Sequence, residues 1–162
     1  MDFDISVDIA ASPDIVWAVM SDGERWPQWT ASVTSVRLLD PGPLRIGTRA
    51  WIKQPRFPPA RWIVTALEPG RSFTWKSGGP GVWVHAHHSV APVATGTRAT
   101  LRLHYEGLLA RLLGRLTAGI TNRYLAMEAA GLKKRSEELA AGRGGAEVVA
   151  EVVAPATTSA TT

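Results

Sequence analysis

The chain has no cysteine, which excludes disulfides, thiolate catalysis and cysteine-ligated zinc or iron–sulfur sites. It also lacks any apolar run approaching the ~18 residues of a membrane span, so stable insertion into a bilayer is not expected. The opening, MDFDISVDIA, is acidic and alternating where a secretory leader is basic and then apolar, and a cytoplasmic location is the expectation. There is no basic run with interleaved aromatics either. The formal charge of +4 comes from 14 Arg and four Lys scattered along the chain, which argues against nucleic acid as a partner. No phosphate-cradling glycine loop, no nucleophile elbow and no carboxylate pair on the inner face derived below appears, so kinase, triad-hydrolase and glycosidase chemistry is unsupported.

What is present is a chain of 162 residues with 45% hydrophobic and 20% charged residues, the composition and size of one globular domain. It has seven Trp. Trp buries a large area and still needs a partner for its indole N–H, so this number suggests aromatic core walls or a large internal pocket.

Phe3, Ile5, Val7 and Ile9 alternate with Asp2, Asp4, Ser6 and Asp8, the period of a half-buried strand. Ser12 as N-cap, Pro13 at the first helical position and Asp14 in the first turn then start a short helix that turns Ile15, Val16, Val19 and Met20 inward. A second short helix follows, interrupted by Pro27, so that the two form a V. From Val33 to Tyr105, turn-forming clusters at 40–43, 54–59, 68–71, 78–81 and 94–97 divide the chain into a strand meander. After Gly107, the spacing of Leu109, Leu112, Leu113, Leu116, Ile120, Tyr124, Met127 and Gly131 predicts one long helix with these residues inward. The domain is expected to span 1–140. The Ala-, Val- and Thr-rich segment 141–162 is expected to be a disordered tail.

Opposite residues of an antiparallel pair share a face, so loop lengths set which residues meet. Four-residue loops at 94–97 and 78–81 place Ala86 opposite Tyr105, His88 opposite Leu103 and Trp75 opposite Val84. A loop at 68–71 places Val64 opposite Trp75 and Ala66 opposite Phe73. One apolar inner face then holds Trp62, Val64, Phe73, Trp75, Val84, Ala86, His88, Val90, Leu101, Leu103 and Tyr105. His88 and Tyr105 are its polar members, about 7–8 Å apart on a diagonal; they are the candidates for any catalysis, although a lone His on such a face also serves structure. His85, His87, His104 and Glu106 gather on the outer face. A solvated polar surface accounts for them without a metal, and none is expected.

Several stretches resemble a known group. ASPDIVWAVMSDGERWPQW looks like the opening of the SRPBCC, or START-like, family of polyketide cyclase/dehydrase and lipid-transport-like proteins. LEPGRSFTW, GVWVHAHHSVAP and GTRATLRLHYEGLLARLLGRL are similar to its later strands and long helix, and AAGLKKRSEEL to that helix's end. The resemblance implies an α+β helix-grip fold: a curved antiparallel sheet, two short helices and a long C-terminal helix over a cavity for a hydrophobic or aromatic molecule. Trp62, Val64, Phe73, Trp75, Val84, Ala86, His88, Leu103, Tyr105, Ile120, Tyr124 and Met127 are the expected ligand-binding residues. Three readings stay open. One is a carrier or binding protein that needs no cofactor. Another is a cyclase or dehydratase in which His88 transfers a proton and Tyr105 or Tyr124 polarises a carbonyl. The third is a lipid-transfer or membrane-surface protein, using Arg111, Arg115, Arg123, Lys133, Lys134 and Arg135 on the long helix. Oligomeric state is not legible in the sequence.

Overall fold

In the computed structural model, which describes the backbone of residues 1–153 and the side chains of residues 1–142, the alternating stretches become strands. The order is β1 (Asp2–Ile9), α1 (Pro13–Ser21), a 3-10 helix (Gly23–Gln28), β2 (Ser35–Leu38), β3 (Arg49–Lys53), β4 (Ala60–Glu68), β5 (Ser72–Gly79), β6 (Val82–Val93), β7 (Gly96–Glu106) and α2 (Ala110–Val153). The strands form one seven-stranded antiparallel sheet, ordered β1-β7-β6-β5-β4-β3-β2. The fold is α+β of the helix-grip kind, with α2 laid against β1, β7 and α1. Of the tail expected from residue 141, the side chains beyond 142 and the backbone beyond 153 lie outside the described residues.

α1 follows its sequence signals: Pro13 opens it, Asp14 lies in its first turn, and Ile15, Val16, Val19 and Met20 are buried. Ser12 occupies the N-cap position with extended backbone, but its hydroxyl makes no capping bond. Pro27 lies within the 3-10 helix, whose Trp26 is buried. Together the two helices carry the chain from β1 at one sheet edge to β2 at the other, roofing the inner face.

The inner face is as expected, but its registers slide. Both hairpins turn in two residues, pairing Val93 with Gly96 and Gly79 with Val82. Val84 therefore faces Tyr105, Ala86 faces Leu103 and Trp75, and His88 faces Leu101 and Phe73. In the Pro80–Gly81 turn Gly81 takes a φ of 97°, and Gly96, which follows the Ala94–Thr95 turn, takes 138°, conformations that favour glycine. The slip is two positions, so with a side-chain period of two no residue changes face. A bulge between Val64 and Ala66 acts differently: it places Leu67, not Ala66, opposite Phe73 and turns Ala66 outward.

The long helix departs most from expectation. Leu109, Leu112 and Leu116 are exposed, and the buried stripe is Ala110, Gly114, Thr121, Tyr124, Leu125, Glu128, Ala129, Leu132 and Ser136. Small residues in its first turns let α2 approach β1 so closely that a Cβ on Gly114 would lie 2.5 Å from Met1 Sδ. Leucines do not fit that gap and rotate outward. Each fully buried large apolar side chain, such as Phe73 or Trp75, contributes about 1.5–3 kcal/mol. Exposed pairs such as Arg98–Asp8 are screened by solvent and contribute little, so the apolar face decides the packing.

Glycines on α2 separate two environments. A Cβ at Gly131 would lie 2.1 Å from the Trp29 carbonyl oxygen, whereas one at Gly119 would meet nothing within 4 Å. Gly119→Ala is therefore expected to stabilise the protein by about 0.8–1 kcal/mol through helix propensity alone. Gly131→Ala is expected to destabilise it, and paired urea melts of the two variants check both signs.

Candidate functional site

At the centre of the inner face, β6 presents His88 flat against Phe73, with ring centroids 4.6 Å apart and planes at 12°. Trp26 closes a second side at 5.4 Å. From the opposite layer, α2 lowers Glu128, whose Oε1 lies 2.9 Å from His88 Nε2. Both residues are buried, at 5% and 9% exposure. Where Glu128 is the ionised acceptor, Nε2 is the donor of this bond. Neither Nδ1 nor the Trp75 indole N–H has a hydrogen-bond partner. Buried polar atoms without protein partners are uncommon in folded proteins, and these two belong to residues that line one cavity.

A small cavity of about 70 Å³ adjoins the pair, lined by Trp26, Val33, Ile52, Gln54, Trp62, Trp75, Ala86, His88, Leu101, Arg102, Leu103, Leu125 and Glu128. Of the expected ligand-binding residues it gathers Trp62, Trp75, Ala86, His88 and Leu103. Val64 and Phe73 lie in the solid core instead. Ile120, Tyr124 and Met127 line a separate open groove of about 480 Å³, with Pro55, Arg56, Gly119 and Arg123. Val84 and Tyr105 lie opposite one another farther along the sheet. Tyr105 packs edge-on against Phe3 at 5.8 Å and its hydroxyl is 3.3 Å from Thr121 Oγ1. The expected diagonal from His88 to Tyr105 is not formed, because the two-residue turn pairs His88 with Leu101 and Tyr105 with Val84.

Glu128 was missed in the sequence because the helix was phased on its leucines. Phased instead on Thr121, Leu125 and Leu132, the three- and four-residue spacing brings Glu128 inward as a lone acid on an apolar stripe. Nothing in the sequence around Trp26 pointed it at His88. The outer histidines each have a separate partner: His85 with Glu106 at 3.0 Å, His104 with Asp2 at 2.7 Å, and His87 with Thr74 Oγ1 at 3.0 Å. Among the described residues no three His, Asp or Glu side chains gather as metal ligands.

Residues 1–137 match the family described as polyketide cyclase / dehydrase and lipid transport. Among solved structures, a hypothetical protein from Helicobacter pylori superposes with a TM-score of 0.69 at 14% identity, covering 83% of this chain and 86% of that one. A START superfamily protein from Mycobacterium smegmatis gives 0.60 at 19% identity, covering 83% and 97%. The di-domain ARO/CYC protein StfQ of the steffimycin biosynthetic pathway gives 0.64 at 17% identity, covering 89% of this chain and 52% of that one. At these identities the likeness is one of fold. No curated protein matches the chain.

Two measurements test this geometry. Removing one member of a buried pair strands the other, so Glu128→Leu is expected to cost about 3 kcal/mol, while His88→Phe/Glu128→Leu recovers most of it; a double-mutant cycle in urea reads the difference. His87 titrates below the usual histidine value, first because burial withholds water from its charged form and then because His88 and Arg102 are close. The unfolded chain then binds the extra proton more readily. His87 contributes its full stability above the ordinary pKa of about 6.5 and loses it as pH falls toward the lower folded value. NMR titration of His87 locates the midpoint, and His87→Gln should flatten that part of the stability profile.

Proposed function

Because the chain belongs to the polyketide cyclase / dehydrase and lipid transport family, we propose that it binds a small hydrophobic or aromatic molecule between the sheet and α2, with the molecule's polar end against His88. The observation that carries this reading is the buried His88–Glu128 pair with Nδ1 unpartnered, beside a cavity walled by Trp26, Trp62 and Trp75. An apolar wall with one polar anchor is the usual composition of a small-molecule site.

The space of about 70 Å³ is well below the roughly 300–1,000 Å³ of ligand pockets, so binding requires it to enlarge. The groove of about 480 Å³ lies directly outside it. Consecutive residues face the two spaces: Gln54 and Pro55, Tyr124 and Leu125, Met127 and Glu128. The partition is the β3–β4 loop and one turn of α2. Tyr124 holds that partition shut, donating its hydroxyl to the Pro55 carbonyl and setting its ring edge against Phe57 at 6.1 Å. The loop stores strain at Arg56, a non-glycine residue at φ 66°. When Tyr124 swings out, the joined space reaches ligand size, and Ile120, Tyr124 and Met127 become its outer wall.

A second reading rests on the same pair. A histidine oriented by a carboxylate, with its other nitrogen lacking a protein partner beside an apolar cavity, resembles the arrangement of a general base. In a cyclase or dehydratase, His88 Nδ1 would take a proton from carbon or oxygen of a polyketide-like substrate while Glu128 held the ring and stabilised the imidazolium.

Native mass spectrometry followed by solvent extraction is expected to find a stoichiometric hydrophobic adduct, or to load one when 2-naphthol is added. Ala86→Leu, which fills the cavity, should lose that adduct at unchanged fold; wild-type binding by Ala86→Leu would place the site elsewhere and defeat the reading. His88→Ala separates the two readings: it weakens binding if the protein is a carrier, and abolishes turnover while retaining binding if it is an enzyme.

A further inference from the structure

Where α2 begins, its apolar residues face the solvent. Leu108 is 93% exposed, Leu112 57% and Leu116 73%, and Leu109 lies beside them at 44%. Leu112 and Leu116 are four apart on α2 and form one stripe, with Leu108 in the turn just before the helix. Single exposed leucines are ordinary, but a continuous stripe of them marks an interaction surface. Arg111 and Arg115 run alongside the stripe, and Arg123 continues it toward the groove outside the cavity. No acidic residue occurs between Glu106 and Glu128. Glu106 is turned to His85 and Glu128 is buried on His88. Among the described residues none of the ion pairs uses Arg111, Arg115 or Arg123.

We infer that this face of α2 docks on an anionic lipid surface, its leucines entering the headgroup boundary and its arginines meeting phosphates. A stripe of leucines bordered by uncompensated arginines is complementary to that surface, where each basic group adds attraction and each buried leucine adds apolar area. A second copy of the chain fits poorly, since pairing the face with itself sets arginine against arginine with no acid to answer it. The helix lies on the surface and does not cross it: no helix among the described residues is long and apolar enough to span a membrane. Docking by this face turns the Arg56 and Tyr124 groove toward the lipid, at the margin of the contact. The inference stands on exposure and charge, independently of whether the cavity binds anything.

The test is cosedimentation with vesicles of phosphatidylglycerol and phosphatidylcholine in equal parts, against phosphatidylcholine alone. The wild type should bind the anionic vesicles, weaken as salt is raised, and bind the neutral ones little. Leu112→Gln/Leu116→Gln should lower partitioning by about tenfold or more, and Arg111→Gln/Arg115→Gln by at least about tenfold. Lys134→Gln/Arg135→Gln, farther along α2, should leave it unchanged. These positions are exposed or half-buried, and unaltered circular dichroism checks the fold. Absence of binding to anionic vesicles overturns the inference, as does binding that the leucine variant leaves intact. A wild-type dimer in sedimentation velocity that the leucine variant dissolves, without vesicle binding, assigns the face to a second copy and also overturns it.

Discussion

A histidine and a glutamate buried face to face between two apolar layers constrain everything around them. His88 and Glu128 are both buried, and an unpaired buried member of such a pair costs several kcal/mol. Sheet and helix must therefore meet with Nε2 and Oε1 at 2.9 Å. This couples the position of α2 to the middle of β6, a constraint that sliding apolar contacts would not impose. Gly131 against the Trp29 backbone and Gly114 against Met1 are the close approaches that this placement of the helix requires.

The same placement divides the helix into zones of different character. From Thr121 to Ser136 its inner stripe is core, with Glu128 as the one acid among apolar and small neutral residues. Before that, the inner stripe is small and the leucines face out. Near the start of the core zone lies Tyr124, which lines the larger groove next to Leu125, which lines the small cavity. A buried anchor, a hinged partition and an exposed apolar approach thus lie in sequence along one helix. In the proposed function the internal polar end would select the ligand and the partition would control access, while the outer stripe is the face inferred to dock.

Strand faces were legible because a period of two tolerates an even slip: the hairpins turned in two residues where four were expected, and every inner residue stayed inner. Which polar groups meet was not legible, because the same slip parts His88 from Tyr105. The bulge at β4 escaped because no glycine or proline marks it, and it exchanged Leu67 for Ala66 on the inner face. The helix was mis-phased for a physical reason as well. Leucine spacing signals burial only where there is room for leucine, and here close approach to β1 favoured Ala110, Gly114 and Thr121. The partner of His88 was hidden by that error alone, since Glu128 lies in step with Thr121, Leu125 and Leu132.

The account depends on His88 being the polar anchor of a cavity that opens to a ligand. Nitrogen-15 NMR of its imidazole, with and without 2-naphthol, tests this most directly. The free protein should show a protonated Nε2 and a bare Nδ1, and saturating ligand should shift the Nδ1 resonance while Glu128→Gln alters both nitrogens. A hydrogen on Nδ1 in place of Nε2, or His88 signals unmoved by a ligand bound at full occupancy, would contradict the account.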